Sequence, residues 1–118
     1  MTNITKKNFQ PIIQGLGYKV TPEFKFCDYR KFRADWLVEK NGKCTLVEYE
    51  GVDPKSGFWI FHKGKRMFVY PSNGHTSAIS YTKDCEKYNL ACKLGYKLLR
   101  YTVMNFNDCI NDLEEILK

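Results

Sequence analysis

The chain has 118 residues, of which 43% are hydrophobic and 15% aromatic, so one folded domain over residues 1–118 is expected and a disordered chain is excluded. No apolar run approaches the roughly 20 residues of a transmembrane helix, and residues 1–10 lack the apolar core of a signal peptide. We therefore expect a soluble, cytoplasmic protein without membrane contact. The net charge of +6 favours nucleic acid as a partner only modestly, because an ordinary soluble basic protein can carry the same charge.

The five cysteines form no Cys-x-x-Cys pair and are odd in number. Together with the missing secretion signal, this predicts reduced thiols. A structural zinc site is not favoured, because its ligands usually come as closely spaced pairs. Cys85 and Cys92 are seven residues apart, or two helical turns, so both are expected to face the core.

Hydrophobic periodicity predicts the order helix, three strands, loop, helix, strand, helix, with no repeat or second domain. Residues 3–16 carry apolar side chains at helical spacing and predict an amphipathic helix that ends near Gly15 and Gly17. A turn is expected around Pro22. Residues 23–27 then alternate as a short strand.

Residues 31–38 and 44–50 are predicted to form two strands of a hairpin. The polar turn between them contains Asn41-Gly42, a dipeptide that strongly favours a tight hairpin turn. In the first strand, alternation is expected to place four residues on one face: Phe32, Ala34, Trp36 and Val38.

This hairpin would bring three carboxylates to about the same level. Asp35 lies in the first strand, and Glu48 and Glu50 share one face of the second. Like charges repel, and a hard cation such as Mg²⁺ removes that repulsion while binding carboxylates, waters and substrate phosphate. The alternative is that these acids form ordinary surface salt bridges with the many lysines and arginines nearby.

Residues 52–75 are predicted to form a long irregular loop, and such loops in compact domains are usually functional. The segment interleaves aromatic and basic side chains, which suits nucleic acid because cations hold phosphates and rings stack on bases. The alternative is that its aromatic side chains close the core while the cations are only solvated. The candidates for contacting DNA are Lys63, Lys65 and Arg66.

Residues 76–94 predict the strongest helix, residues 96–102 a strand, and residues 105–117 a closing helix. Asp84 and Lys87 are neighbours on one side of the long helix. Its buried stripe is expected to comprise Ala78, Tyr81, Cys85, Tyr88 and Cys92.

Three segments together resemble a known family: RKFRADWLVEKNGKCTLVEYEG, then NGH, then DCEKYNLACKLGYKLLRYT. The combination is similar to small phage and bacterial nucleases of the PD-(D/E)XK, or restriction-endonuclease-like, superfamily, in the branch related to very-short-patch-repair endonucleases. The resemblance covers about residues 23–102. No single motif is specific, but their order and spacing are compatible with that family. The matching positions are Arg33 and Asp35, Glu48, Glu50 and Gly51, Gly74 and His75, Asp84, Glu86, Lys87 and Asn89, and Gly95, Tyr96, Leu99 and Arg100.

The resemblance implies an α/β fold with a restriction-endonuclease-like mixed sheet of about four strands flanked by helices, in the order α-β-β-β-loop-α-β-α. It also implies hydrolysis of DNA phosphodiester bonds with Mg²⁺ or Mn²⁺ held by Asp35, Glu48 and Glu50. Lys87 would stabilise charge at the phosphate or orient the attacking water. His75 would contact the phosphate or act as an acid or base, the alternative being a loop histidine that caps the following helix.

The chain also departs from the family pattern. Glu50 stands where the superfamily usually has a catalytic lysine, and relatives in which that lysine moves to the following helix point to Lys87. Ala34 replaces the proline that normally precedes the first acid. Arg33 and the loop cations are the expected DNA contacts, and a viral chain would act in the cytoplasm of its host.

The leading hypothesis is a metal-dependent DNA endonuclease that acts on substrates such as branched or mismatched DNA. The main alternative is a catalytically inactive DNA-binding or nuclease-inhibiting protein on the same scaffold, which Glu50 favours. A third hypothesis, an RNA-binding structural module, is supported only by the positive charge and the aromatic content. Cleavage of both strands needs two sites, which a symmetric homodimer would supply.

Overall fold

The computed structural model describes residues 3–28, 32–50, 58–69 and 78–118, and these form an α/β fold. A four-stranded mixed sheet, a separate two-stranded sheet and three α-helices make up this described part. No helix within it is long and apolar enough to cross a membrane. The elements are α1 (Phe9–Gly15), β1 (Lys19–Lys25), β2 (Arg33–Lys40), β3 (Lys43–Tyr49), β4 (Phe58–His62), β5 (Lys65–Val69), α2 (Ala78–Lys93), β6 (Leu98–Tyr101), a 3-10 turn (Phe106–Asp108) and α3 (Cys109–Ile116).

The larger sheet has the strand order β1-β2-β3-β6. Strands β1, β2 and β3 are antiparallel neighbours, and β6 pairs in parallel with β3. Asn41 (φ 58°) and Gly42 (φ 74°) form the turn between β2 and β3, because a two-residue hairpin turn needs left-handed backbone at both positions. The predicted hairpin and the mixed sheet of about four strands are confirmed.

The first strand begins earlier than predicted, and the turn expected around Pro22 is wrong. Pro22 lies inside β1, where its Cα partner is Trp36 of β2. Proline has no N–H to donate, and β1 tolerates it because an edge strand has one side that makes no sheet hydrogen bonds.

The prediction of an irregular loop over residues 52–75 is wrong for residues 58–69, which form the antiparallel pair β4–β5. The turn consists of Lys63 (φ 52°) and Gly64 (φ 74°), again left-handed at both positions. Two strand-forming runs of five residues flank this turn, so local turn chemistry explains the hairpin. Residues 51–57 and 70–77, which include His75, lie outside the described residues.

Helices cover both faces of the larger sheet. On one face, α1 and α3 pack with the 3-10 turn, and the ring of Phe9 stacks on Trp36 with centroids 4.0 Å apart. On the other face, Ala91 of α2 packs with Leu46 of β3. The first cluster is centred on Phe9, Ile13, Trp36, Val38, Val47, Phe106 and Leu113, and the second on Phe26, Cys27, Ala34, Leu37, Leu46 and Ala91.

The expected facing is wrong at Phe32, which lies just before β2 and packs against the cluster beneath α2, and at Ala34. Ala34 belongs to the cluster beneath α2, whereas Trp36 and Val38 belong to the cluster on the opposite face. The alternation therefore breaks around Asp35, beside the point where the registered pairing of β2 with β3 ends at Trp36 and Val47. Strand alternation alone could not locate this break.

The predicted stripe on α2 is wrong for Cys85 and Cys92, which are both exposed. Among the described side chains of this helix Ala91 is the buried one, and Lys87 and Tyr88 are half-buried one turn earlier. Helix α2 thus turns a partly polar side toward the sheet. All five cysteines are free thiols, as expected.

Candidate active site

Asp35 is held between two strands rather than on one face of the sheet. The registered pairing of β2 with β3 ends at Trp36 and Val47. One residue further along β2, Oδ2 of Asp35 accepts a hydrogen bond of 2.8 Å from the backbone N–H of Tyr49. The other oxygen lies 3.7 Å from Nζ of Lys6, whose side chain is mostly exposed. The carboxylate of Asp35 therefore accepts a hydrogen bond from the β3 backbone just beyond the last registered pair of β2 and β3.

Glu48 is the most buried acid of the site, with 8% of its side chain exposed. Nζ of Lys87 lies 2.6 Å from Oε1 of Glu48 and forms an ion pair. The angles of this contact are not those of a hydrogen bond, and among the described residues Oε1 is a buried acceptor without a hydrogen-bond partner. The Lys87 ammonium is therefore the cation that balances this oxygen, and a metal ion bound here would have to replace it.

The electrostatics of Glu48 follow from this environment. Burial raises the pKa of Glu48 from 4.5 to about 7, against the opposing effect of Lys87. The carboxylates of Asp35 and Glu50 also raise this pKa, so the three acids interact electrostatically. A positive charge placed among them would favour the ionised form of Glu48.

Glu50 is bound by two side chains from different elements. Its Oε1 accepts a hydrogen bond of 2.7 Å from the hydroxyl of Tyr88 and one of 2.9 Å from Nε of Arg100. The Arg100 guanidinium lies 3.9 Å from the centroid of the Tyr88 ring. Burial and the bond to Glu50 raise the pKa of Tyr88, so its hydroxyl remains a proton donor at neutral pH.

Three elements bring these groups together. Glu48 in β3 and Glu50 directly after it lie on the same side of the sheet, as predicted, and both contact α2. Lys87 and Tyr88 are consecutive in α2, and each contacts one of the two acids. Arg100 is the partner of Glu48 in the parallel pairing of β3 with β6.

The structure brings together four of the predicted catalytic residues: Asp35, Glu48, Glu50 and Lys87. Tyr88 and Arg100 join them, although the sequence predicted only burial for Tyr88 and assigned no role to Arg100. The available signal was the position of Arg100 in the strand after α2, but its neighbour in the sheet depends on a parallel pairing between distant segments.

The predicted DNA contacts lie in two places, at the start of β2 and on the β4–β5 hairpin. Arg33 is exposed at the start of β2. Lys63, Lys65 and Arg66 are exposed at the turn of the β4–β5 hairpin. The predicted role of His75 falls outside the described residues.

The site was compared with the requirements of a divalent cation. Within residues 3–28, 32–50, 58–69 and 78–118, no three His, Cys, Asp or Glu side chains converge as a ligand set. Mg²⁺ is commonly bound through only one or two carboxylates, with waters and substrate phosphate as the other ligands. Asp35 and Glu48, from neighbouring strands, fit this requirement because both offer carboxylate oxygens, one of which is buried and already holds a positive charge, the ammonium of Lys87.

The chain was also compared with known proteins. No protein-family model, no curated protein and no solved structure matches it. The fold can therefore be described only by its topology, which in the described residues is an α/β arrangement with a four-stranded mixed sheet.

Proposed function

We propose that the protein is a metal-dependent DNA endonuclease with a restriction-endonuclease-like fold, in which Asp35 and Glu48 hold Mg²⁺ or Mn²⁺. One observation carries the proposal: Oε1 of Glu48 is buried, has no hydrogen-bond partner among the described residues, and lies 2.6 Å from the ammonium of Lys87. Apart from the β4–β5 hairpin, which takes the place of the expected loop, the order of strands and helices and the mixed sheet are compatible with the fold that the family resemblance implies.

Asp35, Glu48 and Lys87 would have different roles in phosphodiester hydrolysis. A bound divalent ion supplies Lewis acidity, which polarises the phosphate and lowers the pKa of a water ligand. Asp35 and Glu48 provide its carboxylate ligands, with Asp35 fixed in place by the N–H of Tyr49. With that ion as the counter-charge of Glu48, the Lys87 ammonium would stabilise the negative charge that develops on the phosphate. The water oxygen would bond to phosphorus and lose a proton to solvent while the P–O ester bond breaks, and the leaving oxygen would take up a proton from solvent.

The β4–β5 hairpin supplies a surface that suits the DNA backbone. Lys63, Lys65 and Arg66 are exposed cations at its turn, and the side chain of Phe61 is 81% exposed. Phe61 and Arg66 are cross-strand partners, so they lie on the same face of the hairpin. Cations beside an exposed ring are the combination that binds phosphates and stacks on bases.

A second candidate function is a DNA-binding or nuclease-inhibiting protein without catalysis. The observation that favours it is that the chain supplies its own cations to the acids. Lys87 neutralises Glu48, and Arg100 neutralises Glu50. An inactive protein keeps such pairs permanently, whereas an enzyme exchanges the first of them for a metal ion and substrate.

A cleavage assay separates the two candidates. The protein is incubated with supercoiled, linear, single-stranded and four-way-junction DNA in Mg²⁺, Mn²⁺ or EDTA, in parallel with the variant Asp35→Asn. The proposal predicts metal-dependent cleavage of at least one substrate and its loss in the variant. Binding without cleavage of any substrate would support the inactive protein instead.

A further inference from the structure

Arg100 is an exposed cation that the protein holds in a fixed orientation. Its side chain is 48% exposed, yet its guanidinium lies over the ring of Tyr88 at 3.9 Å and donates from Nε to Glu50 at 2.9 Å. An arginine at a protein surface usually samples many rotamers. Two directed contacts restrict this one before any ligand binds.

The way Arg100 is held leaves its terminal donors available. A guanidinium carries five N–H donors, and the bond to Glu50 uses only the one on Nε. Among the described residues, Glu50 is the only acceptor for Arg100. The edge that carries the two terminal nitrogens matches the oxygens of a phosphate, which such a fork binds through two parallel hydrogen bonds.

The position of Arg100 relates it to the proposed metal ligands. In the parallel pairing of β3 with β6, Arg100 is the partner of Glu48. It is therefore one strand away from the carboxylate whose buried oxygen suits a cation. A phosphate bound near Glu48 would therefore lie close to the guanidinium of Arg100.

Glu50 differs from Glu48 in what metal binding would require of it. Oε1 of Glu50 already accepts two hydrogen bonds, from Tyr88 and from Arg100, and would have to lose them to bind an ion. Oε1 of Glu48 has no such bond among the described residues, and a metal ion there would have to replace one partner, the ammonium of Lys87. A metal ion that binds through Asp35 and Glu48 leaves the contacts of Glu50 intact.

We propose that Arg100 binds a phosphate of the DNA substrate at the active site, and that Glu50 is a positioning residue that orients Arg100 together with Tyr88. This inference rests on the proposed function and deepens it. It gives Glu50, which stands where the related nucleases have a lysine, a role in substrate binding through a neighbouring cation. Glu50 is then not a ligand of the metal ion.

The first test measures Mn²⁺ binding by calorimetry without DNA, for the wild type, Asp35→Asn and Glu50→Ala. The proposal predicts that Glu50→Ala keeps the wild-type affinity within about twofold while Asp35→Asn weakens it by about tenfold or more. Loss of Mn²⁺ affinity in Glu50→Ala as severe as that in Asp35→Asn would overturn the role of Glu50 and leave the proposed function standing. Failure of the wild type to bind Mn²⁺ would overturn both.

The second test measures affinity for a short DNA duplex by fluorescence anisotropy in EDTA. Arg100→Gln is expected to weaken binding about tenfold, compared with a much smaller change in Lys97→Gln, which removes an exposed charge before β6. Glu50→Ala is expected to weaken binding as well, although removing a negative charge near DNA should otherwise strengthen it. In the Arg100→Gln background the same change should no longer weaken binding.

Two further outcomes decide the second test. Tighter DNA binding by Glu50→Ala, or equal effects of Glu50→Ala with and without Arg100, would overturn the positioning role. Glu50→Gln, which keeps the shape of the side chain, replaces Glu50→Ala if circular dichroism shows that the alanine variant does not fold. It is expected to weaken binding in the same direction by a smaller factor.

Discussion

The ammonium of Lys87 lies 2.6 Å from Oε1 of Glu48, and the two side chains are only 18% and 8% exposed. A buried carboxylate among other acids would be strongly destabilised without a nearby cation. Lys87 comes from α2 and Glu48 from β3, so the pair also connects the helix to the sheet. In our proposal, the same lysine stabilises the protein before metal binds and the phosphate afterwards.

The first prediction concerns the stability of this pair. Lys87→Met should lower the free energy of unfolding at pH 8 by about 3 kcal/mol, because it leaves the buried charge of Glu48 without its partner. The loss should be smaller at pH 5, where Glu48 is neutral. Urea denaturation at both pH values measures the effect, and Lys93→Met, at an exposed position of the same helix, is the control. An equal loss at both pH values would contradict the pairing.

The second prediction concerns the pH dependence that Glu48 creates. Its pKa is raised from 4.5 to about 7, so the folded state favours the neutral acid. The neutral Glu48 side chain therefore stabilises the folded state fully below pH 4.5, and this contribution is lost as the pH rises through 7. Glu48→Gln imitates the neutral acid at every pH, and should therefore match the wild type near pH 4.5 and exceed its stability at pH 8 by up to about 3 kcal/mol. A constant difference between the two proteins across this range would refute the assignment.

The third prediction concerns the β4–β5 hairpin. Replacing Lys63, Lys65 and Arg66 with alanine should weaken DNA binding and reduce the slope of log affinity against log salt by about one unit for each lost phosphate contact. Anisotropy titrations at several salt concentrations provide the slope. An unchanged slope would mean that the hairpin does not touch the DNA backbone.

A charge-matched control accompanies the hairpin variant, because any loss of three positive charges weakens DNA binding to some extent. Lys19, Lys43 and Lys118 are exposed, and Lys43 donates to the backbone oxygen of Lys118. Lys19 and Lys43 begin their strands, at the ends remote from Asp35 and Glu48. Replacing Lys19, Lys43 and Lys118 together with alanine should leave most of the slope of log affinity against log salt unchanged.

Local sequence signals predicted much of the fold. The Asn41-Gly42 dipeptide determines its turn through two residues alone, so the β2–β3 hairpin was predictable. The Lys63-Gly64 turn carried a weaker form of the same signal and was outweighed by the proline and glycine residues around it. Pro22 was misleading, because whether a strand lies at a sheet edge is a property of the whole sheet.

The site was predictable where it depends on one strand and not where it depends on packing. The shared face of Glu48 and Glu50 follows from alternation along β3. The contacts of Tyr88 and Arg100 depend on how α2 and β6 lie against β3, which no local pattern encodes. Cys85 is exposed for the same reason, because tertiary packing and not local sequence determines which side of α2 faces the sheet.

Cleavage of supercoiled plasmid in Mg²⁺ tests the central claim most directly, with the wild type compared with Asp35→Asn and with Asp108→Asn. Asp108 is exposed before α3, and its side chain makes no capping hydrogen bond, so its replacement controls for the loss of one carboxylate. The account predicts that the wild type and Asp108→Asn convert the plasmid to nicked or linear DNA in Mg²⁺ but not in EDTA, and that Asp35→Asn does not. Equal cleavage by all three proteins, or no metal-dependent cleavage by the wild type, would contradict it.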